Sequence, residues 1–271
     1  MGWRFYFCGV VWYNEGMSET KKTEKLPESI SDYNGYDYKK IFWEDADRAY
    51  EDAADRMAIR KLLPEHCGKF ADIAGGYGRL ANEYFDRCDE AWLFDYSKTE
   101  LKQAKELYGD KIHTKNGDIY SIPFKDGELD ALMMIRATHH FKEIEKVFLE
   151  LNRVLKPGGT AVIEVANKKT LPRIWRYWTG KTKINPFSRE VANLTEISES
   201  GFFNYHPKYI EELFEKCGFK IEKVLSVSNF RSAGLKKVFG NKALIKMEKV
   251  AQGALAPVRF APSIYYRLKK I

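Results

Sequence analysis

Phe70-Ala71-Asp72-Ile73-Ala74-Gly75-Gly76-Tyr77-Gly78-Arg79-Leu80 is the stretch from which the fold is read. Apolar residues run into a glycine cluster and an amphipathic run follows, the order of a strand, a tight turn and a helix N-terminus. Glycines at such a turn let bare backbone N–H groups come close to a ligand. The next strand-like run, Ala91-Trp92-Leu93-Phe94-Asp95, ends in an acid nineteen residues after Gly76. An acid at that place can grip both hydroxyls of a ribose. Strand, glycine turn and acid together point to an adenosine-containing cofactor.

Outward from this nucleus, strands and helices alternate. Strands are expected at 69–75, 91–95, 112–116, 129–135 and 160–166, near-continuous apolar runs of the kind parallel strands show when both faces are covered. Between them, helical spacing appears at 78–88 with Leu80, Ala81, Tyr84 and Phe85 inward, at 98–108 with Leu101, Ala104, Leu107 and Tyr108 inward, and at 141–155. A preceding helix is expected from about Glu44 to Leu63, and a later helix and strand at 206–217 and 219–228. The tail from Pro262 to Leu268 alternates as a final edge strand would. The pattern is that of an α/β protein with a doubly wound, Rossmann-like parallel sheet. Two basic stretches, at about 168–204 and 231–257, break the rhythm and read as lid insertions. The second has the spacing of a helix with Leu244, Met247, Ala251 and Leu255 on one face.

An apolar share of 44% and a charged share of 31% suit a globular domain, and no run of about 18 apolar residues is present to cross a membrane. Cys8, Cys67, Cys88 and Cys217 are scattered without a Cys-x-x-Cys pair, which argues against zinc and a disulfide framework and fits a reducing cytoplasm. Residues 1–42 read as a flexible extension, with Met17 a natural start and residues 1–16 an upstream leader that need not be native; residues 43–271 form the domain proper. Net charge is +7 but unevenly placed: −6 over residues 1–165 and +13 over 166–271. The asymmetry fits an anionic partner, RNA or a membrane surface, or else a merely solvated basic face.

A glycine cluster with a downstream acid also serves nicotinamide dehydrogenases, so three further stretches matter. They are Asn116-Gly117-Asp118-Ile119-Tyr120-Ser121-Ile122-Pro123-Phe124, the run from Asp130 through Arg136-Ala137-Thr138-His139-His140-Phe141, and Leu149 through Lys156-Pro157-Gly158-Gly159. In this order they resemble the class I S-adenosylmethionine-dependent methyltransferases, in particular the small-molecule subgroup that includes the ubiquinone and menaquinone enzymes. The resemblance is strong over residues 65–166 and looser over 202–228. It implies a sheet of seven mostly parallel strands with the last antiparallel, S-adenosyl-L-methionine as cofactor, and no metal. By position it implies cofactor contacts from Asp72, Ala74, Gly75, Gly76, Asp95, Tyr96, Asp118, Ile119 and the backbone of Arg136. Ala74 stands where the family motif has its first glycine, and a negative φ is expected there so that close approach survives. Asp118 can equally be a turn former, and Asp72 a purely structural acid.

Methyl transfer asks little acid–base chemistry of a protein, because the sulfonium is already activated and positioning supplies most of the acceleration. His139 and His140 are the candidate general bases, with packing beneath the cofactor as the other reading. Tyr36, Tyr38, Trp43, Trp175, Trp178 and His206 are candidate walls of the substrate pocket. A small organic acceptor is the first reading, with no obligatory protein partner. An RNA methyltransferase, a peripheral-membrane lipid or quinone methyltransferase, and a cofactor-binding regulator without catalysis stay open.

Overall fold

The structure is a computed structural model, and it describes Trp43, residues 48–193 and residues 202–271. Its strands are β1 (Cys67–Ile73), β2 (Cys88–Asp95), β3 (His113–Asn116), β4 (Leu129–Met134), β5 (Leu155–Ala166), β6 (Ala192–Asn193), β7 (Phe203–Asn204), β8 (Phe219–Val227) and β9 (Ser263–Lys270). Its helices are α1 (Ala49–Leu62), α2 (Lys98–Tyr108), α3 (Ile144–Val154), α4 (Leu171–Trp178), α5 (Pro207–Lys216) and α6 (Ala233–Ala254). The expected extension over residues 1–42 and the stretch 194–201 of the first insertion lie outside the described residues.

One seven-stranded sheet runs β3-β2-β1-β4-β5-β9-β8, and β6 with β7 makes a separate two-stranded ribbon. β1 to β5 pair in parallel, whereas β9 is antiparallel to both β5 and β8. The tail is therefore an interior strand and not the edge strand its alternation suggested. Ile264, Tyr265, Tyr266 and Leu268 are all buried, so both faces of β9 need cover that an edge would not supply. Phe148, Leu151, Phe214 and Tyr266 belong to the core on one face, under α3 and α5. Ala58, Leu62, Leu101, Ala104 and Tyr265 belong to the core on the other, under α1 and α2.

Three expected elements differ in detail. No α-helix follows the glycine turn: residues 78–88 fold as 3-10 turns at Ala81–Glu83 and Phe85–Arg87. Neighbouring side chains take the carbonyls that α-helical i→i+4 bonds would need. Tyr108 Oη donates to Gly78 O at 2.9 Å, Arg56 Nη2 to Arg79 O at 2.9 Å and Arg60 Nη1 to Glu83 O at 3.2 Å. Leu80, Ala81 and Tyr84 are buried all the same, because a 3-10 turn also brings residues three apart to one side. In α2, Leu107 is exposed while Leu101 and Ala104 are buried. In α6, which kinks at Gly240, the inward face is Leu244, Glu248, Ala251 and Gln252, with Met247 and Leu255 exposed. Glu248 turns in because Tyr50 Oη donates to it at 2.6 Å and the backbone N–H groups of Ser228 and Asn229 at 2.8 and 3.1 Å.

Candidate active site

Parallel strands bring the carboxyl ends of β1, β2 and β4 to one edge of the sheet, and the residues after them line a cleft. Its enclosed volume is about 140 Å³, and it opens to solvent at its mouth. The glycine turn forms its floor. A Cβ on Gly75 would lie 2.5 Å from Leu93 Cδ1 and 2.6 Å from Asp72 Cγ, so only glycine lets the turn settle on the strands. Gly75 N–H donates to Phe94 O at 3.3 Å. Gly76 N–H donates to Asp95 Oδ2 at 2.8 Å, which ties the turn to the tip of β2. Ala74 departs from the expected negative φ: it sits at +55°, in the left-handed region. That conformation costs an L-residue about 1–2 kcal/mol, and the residues around it hold it there.

Asp95 Oδ1 accepts a second bond, from Ser97 N–H at 2.8 Å. A carboxylate has about four acceptor sites, so acceptor capacity remains on Asp95, which lines the cleft. Burial raises the Asp95 pKa, opposed by the N–H bonds from Ser97, Gly76 and Tyr96. Asp72 is buried beneath the turn, with Tyr84 Oη 3.4 Å from Oδ2, and burial pushes its carboxyl up to about 8. Glu100, buried on α2, joins them: a Cβ on Gly76 would meet its Oε2 at 3.2 Å. Three acidic side chains thus line the cleft, Asp72 holding its proton at neutral pH, together with the apolar surfaces of Phe94, Ile119, Ile135 and Phe141. Acidic groups beside a Cβ-free turn and an apolar slot fit an adenosine cofactor that carries a sulfonium and an ammonium charge.

The other wall is held from α1. Asp55, with no exposure, accepts from Arg136 Nε and Nη2 at 2.7 and 2.9 Å, from Arg79 Nη2 at 2.8 Å and from Tyr265 Oη at 2.7 Å. The two guanidinium groups, with Tyr265, outweigh burial and hold the Asp55 carboxyl below its usual range. Arg79 also pairs with Asp52. Trp43 covers the Arg79 guanidinium, 3.6 Å from ring centroid to Cζ, and lines the cleft. The Arg136 side chain is thus committed to an acid, and its backbone, at φ +55°, donates to Glu164 Oε2 at 3.0 Å.

Of the expected site residues, Asp72, Ala74, Gly75, Gly76, Asp95, Tyr96, Ile119, Arg136, His140 and Trp43 line the cleft. Asp118 does not. It forms a turn, its Oδ1 accepting from Tyr120 N–H at 3.0 Å. His139 is also absent from the lining and stacks on Phe202, centroids 5.0 Å apart. Burial lowers both imidazoles, His140 to about 4, and the neighbouring His140 and Arg136 lower His139 further. His206 is not in the cleft either: it caps α5, its Nδ1 accepting from Lys208 N–H at 3.3 Å. Trp175 and Trp178 stand exposed on α4, outside the cleft. Tyr36 and Tyr38 lie outside the described residues. Among the described residues no cluster of His, Cys, Asp or Glu could hold a metal ion. Sequence reasoning passed over Asp55, Arg79 and Glu100. Asp55 was legible as an acid on the apolar stripe of α1, between Ala54 and Ala58, and Arg79 as the cation directly after the glycine turn.

Residues 71–163 match the family described as a methyltransferase domain. A protein of Mycolicibacterium smegmatis named a probable S-adenosylmethionine-dependent methyltransferase is 26% identical over 208 residues, 76% of this chain and 69% of that protein. A sterol 24-C-methyltransferase of Gibberella zeae is 46% identical over 124 residues, 41% of this chain and only 33% of its own length. Among solved structures, an S-adenosylmethionine-dependent methyltransferase of Listeria monocytogenes superposes with a TM-score of 0.60 at 13% identity, covering 82% of this chain and 99% of that one. At that identity the likeness speaks for the fold.

Proposed function

We propose, from the premise that this chain belongs to the S-adenosylmethionine-dependent methyltransferases, that it methylates a small, largely apolar organic acceptor held beside Trp43, Phe141 and His140. The observation that carries the reading is the joint between Gly76 N–H and the Asp95 carboxylate at the tip of β2. It sets a carboxylate with acceptor capacity to spare at a turn that no Cβ fills. When bound, S-adenosylmethionine supplies an electrophilic methyl on a sulfonium. The glycine turn and Asp95 would hold it, and it would give up that methyl to the acceptor's nucleophile, with the acceptor's proton going to water or a base.

The chain's own residues have three tasks. Asp95, Gly75 and Gly76 would hold the ribose and amino-acid ends, with Asp72 and Glu100 completing that wall and Ile119 and Tyr96 beside the adenine. The backbone of Arg136, fixed through Asp55, faces the ammonium group. Trp43, Ile135 and Phe141 exclude water and confine the acceptor, where in-line contact at about 3 Å does most of the work. We assign His140, not His139, to the acceptor side: kept neutral by burial, it can receive a hydrogen bond across the physiological range. The sterol and demethylmenaquinone methyltransferases among the relatives have apolar acceptors in their names, in keeping with the aromatic wall. We further place residues 43–271 as the methyltransferase domain, with the stretches at 168–204 and 231–257 as insertions on it, working in a reducing cytoplasm.

Calorimetry tests the reading. S-adenosylhomocysteine should bind and NADH should not, and Asp95→Ala should lose at least about 2 kcal/mol of that binding, the two hydrogen bonds of a charged acceptor. An unchanged dissociation constant in the variant removes Asp95 from the site.

A further inference from the structure

Between residues 168 and 189 the chain carries seven Lys or Arg and no Asp or Glu. Within this run α4 turns Ile174 inward and leaves Leu171, Trp175 and Trp178 exposed at 59%, 57% and 72%. The spacing i, i+4, i+7 sets these three on one helical face. Phe187 extends the face, stacked 6.4 Å from Trp178, and Lys181 Nζ lies 4.7 Å from the Trp175 ring. The platform is fastened from below. Lys168, buried at the end of β5, donates from Nζ to Ser188 Oγ at 2.9 Å and to Glu190 O. The same stretch returns to the sheet where Tyr205 bridges to Asn167, next to Phe202 on His139. It therefore hangs from the carboxyl edge of β5, the edge along which the cleft opens.

We propose that this face docks on an anionic phospholipid bilayer. Indoles exposed beside cations, on a short helix with an apolar stripe, suit the boundary between headgroups and acyl chains. There, rings enter the interface while lysine and arginine ammonium and guanidinium groups meet lipid phosphates. Charge complementarity names the occupant: exposed Arg176, Lys181 and Lys183 beside the indoles make a basic rim that repels a basic surface and attracts an anionic one. An extended, single-sided aromatic stripe suits a bilayer better than a duplex or folded RNA, where aromatics stack on individual splayed bases. Docked by α4, the enzyme presents the cleft edge of its sheet to the membrane, where an apolar acceptor concentrates.

Flotation of the full chain with phosphatidylcholine vesicles, with and without phosphatidylglycerol, tests the surface with no methyl donor present, so its outcome is independent of the methyl-transfer reading. The chain is expected to float with the anionic vesicles at low salt, to float less at high salt, and to shift its indole emission to the blue. Trp178→Ser should weaken vesicle partition about tenfold, and the double variant Trp175→Ser/Trp178→Ser further, while S-adenosylhomocysteine affinity and melting temperature report an intact fold. The proposal is overturned if the chain stays in the dense fraction, if the folded double variant floats like the parent, or if bulk tRNA binds with a steep salt dependence while vesicles do not bind.

Discussion

Asp55 shows how much of the cleft depends on one carboxylate that never reaches solvent. It takes both guanidinium groups and the Tyr265 hydroxyl, so removing its charge leaves Arg136 without its paired carboxylate and Arg79 with Asp52 alone. Asp55→Asn should lower unfolding free energy by about 3–5 kcal/mol in urea titrations, and cofactor affinity should fall with it, because the Arg136 backbone is set by the same pair. Ala74 acts the other way. Its left-handed backbone is strained, and Ala74→Gly relieves about 1–2 kcal/mol against an entropy cost of about 0.4–1 kcal/mol. A net gain of up to about 1.6 kcal/mol is expected from denaturant midpoints; a loss would mean that the Ala74 methyl packs usefully. His140, lowered to about 4 by burial, should contribute no inflection near 6.5 to the pH–rate profile, and its ring resonances should titrate only in acid.

At the scale of elements, the turns after Gly78 show where periodicity stops being informative. Leu80, Ala81 and Tyr84 point inward in an α-helix and in a 3-10 turn alike, so their spacing cannot separate the two. What separates them are three donors on α1 and α2, distant in sequence, that capture the carbonyls. Tyr108→Phe leaves Gly78 O with the Ala81 N–H alone and should cost about 0.5–1.5 kcal/mol of stability by thermal or urea unfolding, with little change elsewhere in α2. The bounds of α2 itself were readable from Ser97, whose hydroxyl caps Glu100 N–H, and from Gly109 after its end. The bounds of α6 and its rotation were not, because a buried Glu248 and Gln252 read as solvent-facing until Tyr50 and the turn at Ser228 are seen to meet them.

Across the whole molecule, two sets of buried groups set opposite slopes of stability with pH. Burial raises Asp72, Asp95 and Glu164, so the folded state keeps protons that the unfolded chain has released, and stability falls as pH rises from about 4 through the folded pKa, which for Asp72 is about 8. Burial lowers His139, His140 and His206, so that stability falls as pH drops below about 6.5. Above pH 7 the histidine slope is gone and the first remains, joined toward the alkaline end by Cys67, Cys88 and Cys217, whose thiols burial raises to about 11 or 12. The melting temperature should therefore decline from pH 7 to 8.5, and Asp72→Asn should flatten that decline; an unchanged slope would show that Asp72 is already ionised in the fold.

The sequence by itself determined the alternating sheet, the glycine turn on β1 and the acid ending β2, because these rest on contacts between near neighbours: apolar runs, turn residues and strand tips. Only the tertiary structure decided that β9 lies inside the sheet, that Asp118 closes a turn with Tyr120 while Asp55 braces the cleft, and that Trp175 and Trp178 face outward. Those outcomes are settled by groups far apart in the chain, such as Tyr265 and Asp55 or Lys168 and Ser188, whose meeting depends on which faces the packed core leaves available.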